Sequence, residues 1–132
     1  MKKLFFVNVV SAIICSCSKN EEKTNKAEIV GRWGLKAVLS DPGDGSGTFQ
    51  EIASDKIIEF FDDGRIKSNG TLCDMSPLTG FPTEGTYSLS DSTISSSACQ
   101  NLPMKLTFQI SGSYMIINYP CIEPCRAKFV KL

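Results

Sequence analysis

The sequence predicts an all-β fold, an eight-stranded up-and-down antiparallel β-barrel, placed behind a leader and a short tether. Three observations carry that expectation. Beyond residue 28 apolar side chains recur at period two in short runs. Glycine, proline, aspartate and serine punctuate the gaps between those runs. No run is long enough, free of glycine and proline, to make an amphipathic helix of useful length. Eight strands in a meander either close or leave two raw edges, and closure removes the edges.

The first strand is read over 28–39 and contains the only tryptophan. Trp33, Leu35, Ala37 and Leu39 share one face, and Arg32, Gly34, Lys36 and Val38 the other. Residues 40–47 hold three glycines and a proline and cannot be regular structure. The second strand, 56–61, offers Ile58 and Phe60, and Asp62, Asp63 and Gly64 turn it tightly into the third, 65–70. After a long loop at 71–84 comes the fourth strand, 85–90, with Tyr87 and Leu89 on one face. The fifth, 93–97, is almost wholly polar and must be held by its neighbours. In the sixth, 105–110, Leu106, Phe108 and Ile110 alternate cleanly with Lys105, Thr107 and Gln109. The seventh, 114–119, contributes Ile116, and the eighth, 126–132, contributes Phe129. The expected ligand-facing lining is therefore Trp33, Leu35, Leu39, Ile58, Phe60 and Tyr87, continued by Leu89, Leu106, Phe108, Ile110, Ile116 and Phe129.

Alternating strand directions put the long connections 40–55, 71–84, 98–104 and 120–125 on one rim. The tight turns near 62–64, 90–91 and 111–113 fall on the other. Cys73, Cys99, Cys121 and Cys125 all fall on the long-loop rim. Four cysteines allow three pairings, and the sequence does not choose among them. Cys73–Cys99 with Cys121–Cys125 is the pairing we expect, since three residues spanning a strand link can bring α-carbons within ~4.4–6.8 Å. A zinc site is the rival reading, disfavoured in a chain without histidine.

Residues 1–16 read as a signal peptide: Lys2 and Lys3 form a positive start, and the apolar run to Ile14 is shorter than the roughly 20 residues a spanning helix needs. The run ends in Ile14-Cys15-Ser16-Cys17, which resembles a bacterial lipobox with Cys17 as the acylated residue. That resemblance implies a palmitate-type anchor in the membrane, at the bacterial outer membrane or cell surface. Residues 17–27 are polar and aperiodic and read as a flexible tether, leaving 28–132 as the domain. Removing Lys2 and Lys3 leaves 12 basic against 14 acidic residues, and no basic stripe exists for nucleic acid.

Gly31-Arg32-Trp33 matches the G-x-W that opens the barrel of lipocalins. From about residue 29 the chain resembles the lipocalin-like (calycin-type) domains of small bacterial lipoproteins. The resemblance implies that Trp33 plugs the closed end and that a late basic residue packs on it, with Lys128 or Lys131 placed for that role.

With no histidine and no base beside Ser95, Ser96 or Ser97, there is no catalytic constellation; we expect a non-enzyme without cofactor. Asp41, Asp44 and Glu51 offer oxygen ligands for calcium, but they lack the ligand alternation of an EF-hand, and a plain glycine loop is the favoured reading. Two functions follow. One is a barrel that binds a small apolar or amphipathic ligand through its long-loop mouth. The alternative is a disulfide-braced module with a solid core that grips a protein partner, comparable in size to lipoprotein inhibitors of lysozyme. A solid core with an exposed apolar patch at 71–84 favours the second.

Overall fold

The computed structural model describes residues 25–100 and 105–132. The signal peptide, Cys17, the tether up to residue 24 and part of the 98–104 connection lie outside the described residues.

The described chain opens with a four-residue helix, α1 (Lys26–Ile29), inside and just beyond the expected tether. Its cause is local. Asn25 and Glu28 form a capping box, in which the Asn25 side chain accepts from backbone N–H groups and Glu28 accepts from the Asn25 N–H. Nine strands follow: β1 (Gly31–Ser40), β2 (Gln50–Glu51), β3 (Ile57–Phe60), β4 (Arg65–Ser68), β5 (Thr83–Ser88), β6 (Thr93–Ser95), β7 (Leu106–Ser111), β8 (Tyr114–Tyr119) and β9 (Cys125–Lys131). A short 3-10 turn, Ser97–Cys99, precedes β7.

Every pairing is antiparallel, and β1 pairs with both β3 and β9, so eight strands close a barrel. The ninth strand is a fragment: β2 and β3 both lie along the same side of β1 as one strand interrupted at 53–55. The amide of Ile52 donates to the Lys36 carbonyl and that of Leu35 to the Lys56 carbonyl, so the ladder resumes across the interruption.

One register shift changes which side chains face inward. Leu35 stands opposite Phe129 and Ala37 opposite Lys128, leaving Lys36 as the extra residue of a β-bulge. Beyond it the alternation reverses. Val38 now pairs with fully buried Ala127 and packs on the core, whereas Leu39 pairs with exposed Arg126 and lies outside the core cluster. In β8 the inward residues are Met115, Ile117 and Tyr119, and Ile116 faces outward opposite Gln109 and Lys128. Four successive bulky residues, 114–117, give that strand no sequence-level choice of face.

The interior is filled by the protein itself. Trp33, Ile58, Met115 and Phe129 have no exposed surface, and Leu35, Phe60, Phe108 and Ile117 retain 1%. A void large enough for water would leave accessible area on its walls, so these side chains line none. Phe60 meets Tyr87 and Phe108 edge to face at 5.1 and 6.1 Å between ring centroids.

Candidate functional site

The closed end is built first by the sequence. Gly31 sits at φ +129°, a conformation L side chains rarely adopt, and turns the chain from α1 into β1. The Trp33 indole N–H then donates to the Ile29 carbonyl at 2.8 Å, tying α1 across the barrel floor. Lys131 completes the cover: its Nζ lies 5.3 Å from the Trp33 ring centroid and donates to the Glu28 carbonyl at 2.7 Å. Lys128, the other candidate for that position, lies instead over the rings of Phe49 and Tyr114 on the outer wall.

The opposite rim gathers the connections 41–49, 69–82 and 120–124, with both disulfides, Cys73–Cys99 and Cys121–Cys125. The 69–82 loop does not stand open around a mouth; it folds over the barrel end. Leu72 enters the core at 1% exposure and Met75 packs against it. The loop is pinned at its base, where the Thr83 hydroxyl accepts from the Leu72 amide and donates to the Gly70 carbonyl. Leu78 returns so close to Gly70 that a Cβ there would collide with the Leu78 carbonyl oxygen, so only glycine fits.

A buried lysine holds the same loop from below. Lys56 has no exposed surface, and its ammonium donates to the carbonyls of Ser76 at 2.9 Å and Asp74 at 3.2 Å. Burial lowers its pKa to about 8, with the Asp74 carboxylate opposing that shift. Tyr119, which like Lys56 feels the charge of Asp74, is also buried, and its phenol has no hydrogen-bond partner among the described residues. Desolvation, and then the charge of Asp74, raise the Tyr119 pKa.

These shifts set a pH window. Folded Lys56 releases its proton near pH 8, whereas the unfolded chain holds it to about 10.5. Between those values the unfolded state binds more protons, so stability rises with pH, by about 2 kcal/mol at pH 9.5. Above pH 10 the trend reverses, because the unfolded chain loses the Tyr119 proton before the folded one does. Urea unfolding at pH 7.5 and 9.5 is expected to show the rise in the natural protein and a flat response in Lys56→Met.

The rim carries three strongly exposed apolar side chains: Leu78 at 65%, Phe81 at 71%, and Ile122 fully in solvent within the Cys121–Cys125 loop. The 41–47 loop is braced rather than open. The Asp41 carboxylate accepts from the amides of Gly43, Gly45 and Gly47 at 2.7–3.0 Å, and these bonds, Gly47's foremost, hold its pKa low. Its oxygens are thus spent on the backbone, and among the described residues no cluster of acidic or cysteine side chains is placed to hold a metal.

Of the expected lining, Trp33, Leu35, Ile58, Phe60, Leu106, Phe108 and Phe129 meet in the core. Tyr87, Leu89 and Ile110 pack against it half-buried, and Leu39 and Ile116 fall outside. Sequence reasoning missed Lys56, taken as the start of a strand, and the plug residues Leu72 and Met75. Their apolar character inside a nominal loop was the signal that could have found the plug. The chain matches no protein-family model, no curated protein and no solved structure.

Proposed function

We propose that this protein is a membrane-tethered, lipocalin-like interaction module that grips a protein partner with its plugged rim. The observation that carries the reading is the pairing of a self-filled barrel with Leu78 and Phe81 exposed on a loop fixed by Cys73–Cys99, Lys56 and Thr83. An eight-stranded barrel is a scaffold able to hold one small ligand. Here Leu72 and Met75 occupy the entrance, and ligand entry would require the loop to leave.

Exposing large apolar side chains on a stiff loop costs solubility, yet it reduces the ordering entropy paid on association. The lipocalin likeness rests on the closed barrel, the G-x-W floor and the Lys131 contact. On this reading Cys17 bears the lipid, and the eight residues to Asn25 reach at most about 25–30 Å. The tether then enters at the floor through α1, and the apolar rim points away from the membrane.

Leu78→Asp with Phe81→Asp tests this directly. Both side chains are exposed, so the melting temperature should stay within a few degrees. Affinity for the envelope or host protein captured by photo-crosslinking from residue 81 should fall at least 30-fold, the size expected for an aromatic anchor. Unchanged affinity of the double variant for that captured protein, or an apolar small molecule co-purifying in stoichiometric amount, would overturn the reading.

A further inference from the structure

The bulge at Lys36 has a second product, on the outside of the barrel. By reversing the alternation it turns Ala37 outward, 4% exposed, onto the same face as Lys128 and Glu51, its direct neighbours in β9 and β2. Between the chain at 49–52 and the β7–β8 turn lies a groove of about 650 Å³, inside the size range of small-molecule sites. Its floor is apolar, from Ala37, Ile52 and Val130, and its walls include the rings of Phe49 and Tyr114.

Charge in the groove is unbalanced. Lys36 and Lys128 line it with a single carboxylate, Glu51. Among the described residues the salt bridges join Arg65 to Asp63 and Lys67 to Glu84, and neither groove lysine takes part in one. The Lys128 ammonium rests 4.6 Å from the Tyr114 ring centroid and 5.9 Å from that of Phe49. Ring faces attract a cation only modestly at a half-open site, by less than a carboxylate hydrogen-bonded to it gives.

The geometry points to a binding site for a small aromatic carboxylate in this groove. Its anionic group would meet Lys128 and Lys36, its ring would stack against Tyr114 and Phe49, and Glu51 would accept from any N–H or O–H donor it carries. The site is independent of the rim and stands whether or not the rim binds a protein.

Indole-3-acetate, with uncharged indole-3-acetamide as its partner probe, tests the assignment on the full chain by amide chemical shifts. The carboxylate should shift residues 36–37, 49–52, 113–114 and 128–130 and bind at least tenfold more tightly than the amide. Lys128→Gln should cost tenfold or more in affinity for the carboxylate with an unchanged melting temperature. Should that variant fail to fold, Lys36→Gln carries the same expectation, and the comparison of the two probes needs no variant. Equal binding of both probes, shifts confined to other residues, or no shift at millimolar carboxylate would overturn the site.

Discussion

Trp33→Ala is expected to lower the melting temperature by about 15–30 °C, the largest effect of any single substitution in this chain. Replacing a fully buried large aromatic by alanine costs about 3–5 kcal/mol through lost transfer energy and the cavity left behind. Total stability of a domain this size is only about 5–15 kcal/mol, and each kcal/mol moves the midpoint by roughly 4–8 °C. Trp33 has further duties beyond filling volume. Its N–H satisfies the Ile29 carbonyl, and its ring carries the Lys131 ammonium, so α1 and the end of β9 lose their common anchor together. Trp33→Phe separates these parts, since it keeps most of the apolar area but leaves the Ile29 carbonyl unpaired. It should cost about 1–3 kcal/mol. Calorimetry on both variants decides the matter. A loss under about 1 kcal/mol for alanine would mean that the floor is not a fixed part of the fold.

Replacing Cys73 and Cys99 together by alanine should cost about 3–4 kcal/mol, and replacing Cys121 and Cys125 only about 2. The difference comes from the chain each bridge closes. Cys73 and Cys99 are 26 positions apart and the other pair 4, and the entropy removed from the unfolded chain grows with the logarithm of that length. The first bridge also fixes the loop over the barrel end, so its loss should do more than shift a midpoint. Chymotrypsin should cleave after Leu78, already 65% exposed, far faster in the Cys73/Cys99 variant, while the barrel strands stay protected. Equal losses for the two pairs, with no change in cleavage, would show that the loop is held without its bridge.

The barrel was legible where alternation was unambiguous. In 105–110 the residues expected inward, Leu106 and Phe108, are buried, with Ile110 half-buried beside them. The two rims were legible as well, because strand direction follows from counting turns, and among the described residues the connections 41–49, 69–82 and 120–124 did fall on one end. Face assignment failed for two physical reasons. A strand apolar on both sides, as at 114–117, carries no period-two signal. A bulge, as at Lys36, is a property of the pairing with β9 and leaves no mark in the sequence of β1 alone. The outer groove was invisible for the same reason, since it exists only after that reversal. Lys56 was hidden by its residue type, because a lysine at a strand edge normally reads as solvated. By contrast, α1 could have been found, for Asn25 and Glu28 stand at the capping-box spacing.

Closure of the barrel between β1 and β9 also governs the order in which the molecule can form. Trp33 finds Lys131, and Leu35 finds Phe129, only after more than ninety intervening residues have been brought into place. Such distant partners raise the contact order and slow folding, because loop entropy is paid before the contacts repay it. Until β9 docks, β1 presents a ten-residue strand with one unpaired edge to any neighbouring chain. The last strand therefore acts as the latch of the folding reaction, and the interval before it closes is the period in which this protein is most exposed to misassembly.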